Sequence, residues 1–583
     1  MPIDYGQFEE GKGLNYWGYD PVIQYEVRRT YSDSEYDWAE SRLDEFGEAV
    51  GTVIADISDT LDTHDPTLHT YDRDGEVQNE VEYHPDHFVA ERLIYEAGTV
   101  ADSFVAPPGR EEPMPITHNL AMEYLLTYTD IGLGCPVAMT AGVALVLDKF
   151  DDGDLEAFFD GVTARDYDEF LHGAMFLTEK QGGSDVGANE TIAEQADDGT
   201  WRLTGEKWFA SKLDAGAALV LARREDAPEG TEGLSLFLLP AEKRNGEPND
   251  YYFRRLKGKL GTKSVPTGEV ELEGAEAYLV GEPEQGFKLM AEMLNLERLS
   301  NAIAAVGNIG RAVLESKIHA ADREAFGETL DDHPLMRHDL VDMAVDHEAA
   351  TAYTFDAASV YSDYVDDDDE VAYRLMRLLV PVAKHRTGRL AVETASYAME
   401  VLGGNGYVDD YVTNRLLRDA QVLPIWEGTS NILSLDLLRA LAKEGSHRPF
   451  LETVEARLDT VSHPALVDLV ETVAAETEAI EDAFATLATE GQDYAELYAK
   501  RLADYVYDVY TAALLLSEAQ TQLAETDDAR KALVARRFVD RHLREQDARG
   551  ITSGDTLPLD WFDAIVRFDR AEPELLADAP PAD

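Results

Sequence analysis

The chain has 583 residues with 115 acidic and 50 basic side chains, a formal net charge of −65, so it is too long for one core and strongly self-repelling. An apolar share of 44% excludes global disorder, and the single cysteine, Cys135, excludes an intramolecular disulfide framework or a cysteine-based metal cluster. The acidic excess runs through every large segment, which reads as a surface adapted to concentrated salt, where the screening length falls to roughly 3 Å at 1 M, and not as an acidic interaction tail.

Residues 1 to about 60 read as an aromatic-rich extended arm that becomes helical near Ser34. Asp72-Arg-Asp-Gly75 is a predicted turn between short segments, and a helical pattern follows from His84, anchored by Phe88, Leu93 and Ile94. Asn119 to Lys149 is a long apolar-rich helical region, with an interruption expected at Gly132-Leu-Gly-Cys-Pro136. The first ten residues lack the basic and apolar regions of a signal peptide. No apolar run is read as approaching the ~20 residues of a membrane span. The expectation is a soluble, cytoplasmic protein without a membrane partner.

From Gly173 to Gly281 the period changes to short β-rich runs bounded by Gly, Pro, Asn or Asp, including Ala218–Ala222, Leu234–Leu238 and Glu269–Glu273. These predict a small barrel or sandwich, with Glu269, Glu271 and Glu273 on an exposed face. Helical periodicity then returns over Gly286–Arg323, Pro334–Val365, Glu370–Val401 with a kink at Pro381, and from Asn431. The resulting division is a helical N-terminal domain at 1–172, a β-barrel at 173–284, a helical bundle at 285–445 and an appended helical domain at 446–583.

Two motif blocks carry the chemistry. The first is Met175–Val186, with Thr178, Gly183 and Ser184, followed by Gly205–Ser211, with Phe209 and Ser211. Clustered glycines, hydroxyl donors and aromatics suit a flat heteroaromatic group and its phosphates, although a turn followed by a hairpin gives the same pattern without any ligand. The second is Met399–Tyr407 and Pro424–Ile432. There Glu427 lies between Trp426 and Gly428, with Thr429 and Ser430 able to cap the following helix. Partial burial beside an aromatic raises a carboxyl pKa, as a general base needs; a Glu just before a helix N-terminus is also favoured electrostatically alone. Gly403-Gly-Asn-Gly406 is no dinucleotide fingerprint, because its spacing is wrong and it follows a helix.

Over about residues 70 to 445 these blocks resemble the acyl-CoA dehydrogenase family. The resemblance implies an α+β multidomain fold: a helical N-terminal domain, a central β-barrel and a four-helix bundle. It also implies FAD as cofactor, an acyl-CoA substrate desaturated between its α and β carbons in fatty-acid or branched-chain breakdown, electron-transfer flavoprotein as electron acceptor, and a homotetramer. Glu427 matches the family's base, with Trp426 in place of the usual Tyr. Glu297 matches the helix position where some members carry the base instead, and is the reserve candidate. By itself, a Glu in such a helix is most often solvated and paired with a nearby Arg. Thr178, Gly183, Ser184, Phe209 and Ser211 match flavin-binding positions, with Phe209 for Trp and Ser211 for Thr. Arg323, Glu400, Gly403 and Gly404 match residues that reach the FAD of a neighbouring subunit, and Thr429 completes the cofactor set. Pro334 stands where many relatives have a cofactor-binding Gln.

Tyr71–Gly75, His84-Pro85, Cys135-Pro136, Thr178–Val186, Lys207–Phe209, Leu256–Gly261, His333–Arg337 and Ile425–Glu427 resemble the AidB-type branch. That branch adds a C-terminal helical domain, and its namesake is a flavoprotein of the alkylation response that binds duplex DNA. Residues 441–583 hold 14 Lys+Arg and 30 Asp+Glu, whereas phosphate binding needs clustered cations. A local cluster, Arg530, Lys531, Arg536, Arg537, Arg541, Arg544 and Arg549, remains. It is expected to pack against acidic neighbours, so no nucleic-acid partner is expected.

Overall fold

The computed structural model describes residues 2–367, 369–544, 549 and 551–577. It divides into two compact units, one of residues 38–300 and one of residues 1–37 with 301–583. The N-terminal arm is helical earlier than its sequence suggests. Tyr16–Tyr19 already forms a helical turn. Helix α1 (Pro21–Thr30) then starts with Pro at its first position and the Asp20 side chain accepting from the Val22 N–H, two local start signals that outweigh the aromatic composition. Helix α2 (Asp33–Ala49) follows.

In the unit of residues 38–300, the end of α2 and a further helical stretch over Ala55–Thr63 lead into an antiparallel hairpin, β1 (Thr67–Tyr71) and β2 (Val77–Glu82). Its turn is built by Asp72, whose carboxylate accepts from the N–H groups of Asp74 and Glu76, and by Gly75 at φ +88°. Helices α3 (Pro85–Glu96), α4 (Ile116–Thr127) and α5 (Ile131–Phe150) come next. The break expected at Gly132–Pro136 lies just ahead of α5 instead. Asp130 caps α5 by accepting from the Leu133 N–H at 3.0 Å, and Pro136 sits inside the helix. Contrary to the sequence reading, α5 is by length and composition apolar enough to cross a membrane; nearly all of it is buried inside the protein.

Seven strands follow: β3 (Gly173–Phe176), β4 (Ile192–Gln195), β5 (Trp201–Ser211), β6 (Ala217–Arg224), β7 (Leu234–Pro240), β8 (Tyr251–Leu256) and β9 (Thr267–Val280). They pair in the order β3-β6-β4-β5-β9-β7, and β7 returns to β6, so the sheet closes into a barrel with β8 beside β9. Closure removes the edges that an open sheet would expose. One expectation fails on β9. Glu273 is exposed and Glu271 half-buried, but Glu269 is buried, its carboxylate accepting from Arg255 and Lys257 at 2.7 and 2.6 Å. Two cations neutralise a position that alternation alone assigns to solvent.

Helix α6 (Gly286–Asp322) carries the chain from one unit into the other. Helices α7 (Pro334–Asp367) and α8 (Glu370–Leu402) follow, the latter capped by Asp369 and containing Pro381; Asp368 of the expected acidic turn lies outside the described residues. Helices α9 (Thr413–Ala420) and α10 (Ser430–Arg439) complete the bundle part, and α11 (His447–Thr460), α12 (Val467–Thr489), α13 (Gln492–Thr526) and α14 (Arg530–His542) form the C-terminal part.

Buried charge links five of these helices. Arg29 of α1 meets Glu26 at 2.8 Å, Asp356 of α7 at 3.0 Å and Glu518 of α13 at 3.3 Å. Asp356 also accepts from Arg457 of α11 at 2.6 Å and from the Tyr510 hydroxyl at 2.7 Å. Lys531 of α14 joins Glu348 and Glu518, and Arg530 is bidentate on Glu348. The rest of the basic cluster is similarly engaged: Arg536 and Arg544 with Asp468, Arg537 with Asp342 and Asp555, and Arg541 with Asp346. Arg549 is exposed.

Helix α4 is buried on every face, which places His118 and Glu123 in the interior. Burial pushes the Glu123 carboxyl up from 4.5 to about 8, so the folded protein holds it protonated at neutral pH. The folded state binds the proton more tightly than the unfolded chain, so this contribution is complete below about pH 4.5 and is lost as pH rises toward 8. Glu123→Gln keeps the shape without the titration. It is expected to be more stable than wild type by about 4 kcal/mol at pH 7.5 and nearly equal to it at pH 4.5, read by denaturant unfolding at both pH values in high salt.

Candidate active site

In the unit of residues 38–300, the turn after β3 brings Thr178, Gly183 and Ser184 together beside β5. The Trp208 N–H donates to the Thr178 carbonyl at 2.8 Å, fixing the turn against the strand that carries Phe209 and Ser211. Gly182 has φ +118°. A Cβ on Gly183 would fall 2.5 Å from the Thr178 hydroxyl, so a larger residue there would have to displace the Thr178 side chain. Among the described residues the Thr178 and Ser184 side chains make no hydrogen bond within the chain. Phe209 presents its ring outward at 54% exposure, unusual for so large an apolar group on a barrel strand. Ser211 Oγ lies 3.0 Å from Thr267 Oγ1, either hydroxyl able to donate.

Two residues that the sequence reading missed hold this turn. Glu179 is buried and accepts from Lys207 Nζ at 2.7 Å, from the Thr191 hydroxyl at 2.5 Å and from the Glu190 N–H at 2.7 Å. Although burial opposes it, Lys207 and these donors hold the Glu179 carboxyl below its ordinary value. Lys207 is fully buried and also donates to the Leu221 carbonyl at 3.1 Å, tying the turn to the barrel wall. Nearby, Lys257 Nζ stands 3.3 Å from the centre of the Trp208 ring and 4.9 Å from that of Phe209. The signal was present, since Glu179 and Lys207 are the charged members of both motifs, but nothing in sequence spacing tells an anchor from a ligand. These free hydroxyls, close-packed glycine and outward aromatic ring suit a flat cofactor with phosphates.

Glu297, in the first part of α6, is buried at 5% exposure. The solvated reading of that position is therefore wrong, and the residue keeps its standing as a second carboxylate.

In the other unit, Glu427 is half-buried and lies in the left-handed region at φ +54°, followed by Gly428 at φ +106°. A non-glycine residue rarely takes this conformation, and when it does the surroundings enforce it. The Trp426 indole N–H donates to Asn301 Oδ1, and Lys384 Nζ of α8 donates to the Gly428 carbonyl at 2.5 Å. Thr429 occupies the N-cap of α10, but its side chain makes no capping bond, contrary to expectation. Glu400, Gly403 and Gly404 are exposed at the end of α8; Gly403 has φ +62°, and a Cβ on either glycine would meet nothing within 4 Å. Arg323 is exposed between α6 and a small hairpin whose tip, Phe326, is 99% exposed. Glu400, Gly403, Gly404 and Arg323 thus lie on open surface.

Known proteins share this arrangement. Residues 284–442 match the C-terminal domain of acyl-CoA dehydrogenase and 174–275 its middle domain, while 7–169 match the N-terminal domain of adaptive response protein AidB. Residues 448–560 match the acyl-CoA dehydrogenase 11 C-terminal domain. The chain belongs to the acyl-CoA dehydrogenase family.

Within that family it is 32% identical to acyl-CoA dehydrogenase family member 11 of Caenorhabditis elegans over 86% of this chain and 83% of that one. It is also 32% identical to AidB of Escherichia coli, over 70% of this chain and 75% of that protein. The crystal structure of C. elegans ACDH-11 in complex with C11-CoA superposes with a TM-score of 0.85 at 30% identity, covering 93% of this chain and 94% of that one.

Glu179→Gln leaves Lys207 buried without its counter-charge, which costs ~3–5 kcal/mol. Glu179→Gln is expected to lower the unfolding midpoint and weaken flavin retention at least tenfold on dilution, measured by thermal denaturation and by released flavin fluorescence.

Proposed function

We propose that the protein is an FAD-dependent acyl-CoA dehydrogenase that desaturates an acyl-CoA thioester between its α and β carbons, with Glu427 as the base. The observation that carries this reading is the enforced left-handed turn at Glu427, which presents one half-buried carboxylate from a fixed backbone. Thr178, Gly183, Ser184, Phe209 and Ser211 are the residues that would hold the flavin; by family resemblance Arg323, Glu400, Gly403 and Gly404 would reach the FAD of a neighbouring subunit, with Thr429 as a further cofactor residue. Bound FAD supplies the acceptor for the hydride that leaves the β-carbon, which no protein side chain provides. The chain's own part is acid–base and electrostatic. The Glu427 carboxylate takes the α-proton, and the electron pair left behind forms the new double bond as the β-hydride departs.

The relative solved with C11-CoA makes a straight-chain acyl-CoA of about that length the first substrate to try. Breakdown of fatty or branched acyl groups, electron-transfer flavoprotein as acceptor and a cytoplasmic, salt-rich setting complete the proposal on family resemblance and charge. A homotetramer is part of it: Phe326, Leu335 and Tyr407 are 99%, 82% and 81% exposed, and large apolar groups this open favour covering by another copy.

The competing reading, a flavoprotein that binds duplex DNA, has less support. Arg530, Lys531, Arg536, Arg537, Arg541 and Arg544 each hold carboxylates of their own chain and would have to exchange them for phosphate.

Glu427→Gln is expected to retain flavin and lose its bleaching by C11 acyl-CoA, at least 10³-fold slower in anaerobic stopped flow, while Glu297→Gln stays within about tenfold of wild type. The reverse pattern moves the base to Glu297, and bleaching by neither protein nor wild type removes the dehydrogenase reading.

A further inference from the structure

One face of α8 is organised around the turn that carries Glu427. Residues 377, 384 and 388 recur at helical spacing, so they project to the same side. Arg377 pairs with Asp436 of α10 at 2.7 Å. Seven residues on, Lys384 is 1% exposed and donates to the Gly428 carbonyl at 2.5 Å. Four residues further, Gly388 has no side chain where the backbone of Leu423 and Pro424 passes; a Cβ there would stand 3.3 Å from the Leu423 carbonyl carbon and oxygen and 3.4 Å from the Pro424 nitrogen. The chain therefore lies against α8 before the turn, is tied to it after the turn, and has positive φ at both residues of the turn, 427 and 428. The Trp426 indole bond to Asn301 fixes the residue in front.

We propose that Lys384 is a positioning residue for catalysis: its ammonium group grips the carbonyl next to the base, and so sets the backbone conformation from which the Glu427 carboxylate meets the α-proton. This rests on the reading of Glu427 as base. A left-handed non-glycine residue is strained by about 1–3 kcal/mol, and a charge-assisted hydrogen bond of a buried lysine is strong enough to oppose relaxation of that strain. The bond goes to a backbone carbonyl, so Lys384 need not touch substrate. Its role is to hold geometry, where a shift of about 1 Å at the reacting groups costs on the order of 10²-fold in rate. An arginine retains the cation and part of the donor geometry, whereas a methionine keeps only the stem.

The test separates proton abstraction from redox chemistry. A 3-thia analogue of the C11 acyl-CoA has sulfur at the β position and no β-hydrogen to lose. In D2O it reports only on removal and return of the α-proton, as deuterium gained at the α-carbon by mass spectrometry. With the flavin-loaded protein, Lys384→Met is expected to exchange at least 30-fold more slowly than wild type, to bind the analogue with affinity within threefold, and to give faster amide hydrogen exchange in the 424–432 peptide. Lys384→Arg is expected to recover most of the rate. Exchange by Lys384→Met within threefold of wild type overturns the proposal, as does a rate loss matched by equal loss of affinity. Should Lys384→Met fail to fold, Gly388→Ala probes the same device by pressing on Leu423, and unchanged exchange there counts against it. Glu427→Gln, run alongside, is expected to exchange nothing. If that control exchanges normally, the base assignment has failed, a result distinguishable from failure of the Lys384 role.

Discussion

Cations are scarce in this chain, 50 against 115 acidic residues, and the placement of the buried ones is the constraint on which the architecture depends. Lys207, Lys384, Arg530 and Lys531 all lie inside, each on a carboxylate or a carbonyl. A buried charge is tolerated only when paired and hydrogen-bonded, and breaking such a pair is far more costly than losing a surface one. With most charge in the chain negative, these interior contacts distinguish the native arrangement from other compact ones.

The two motif regions use this device differently. Around Thr178 the Glu179–Lys207 pair anchors a turn to the barrel, leaving the neighbouring hydroxyls unengaged and the Phe209 ring outward. Around Glu427 a lysine fixes a backbone carbonyl, and the result is a strained residue instead of an open loop. In both, a buried charged side chain holds the segment that carries the candidate residues. The same physics in the C-terminal part closes the arginines of α14 onto Glu348, Asp342, Asp346 and Asp468, which turns a basic sequence cluster into internal structure.

Much of this was legible in the residues. The long helices announced themselves by periodicity, and α6, α7 and α8 fall within a few residues of the expected ends. The barrel strands and the Asp72–Gly75 turn followed from turn chemistry. The helical N-terminal arm, the unbroken start of α5 and the buried Glu269 did not, because caps and cross-strand cations outweighed composition. For the site, the motifs supplied the residue types, but Glu179, Lys207 and Lys384 were silent as anchors: a buried lysine and a solvated one look alike in a string of letters.

By itself the sequence determined the family and the order of helical and β regions, and it put forward the candidate flavin and base residues, because these readings depend on local pattern and on motifs that survive divergence. Only the tertiary structure decided that Glu427 sits in a left-handed turn, that Glu297 is buried, and that Lys384 reaches the Gly428 carbonyl. Burial and long-range hydrogen bonds join residues tens of positions apart, as with 384 and 428, and no local pattern encodes which distant carbonyl a lysine will meet.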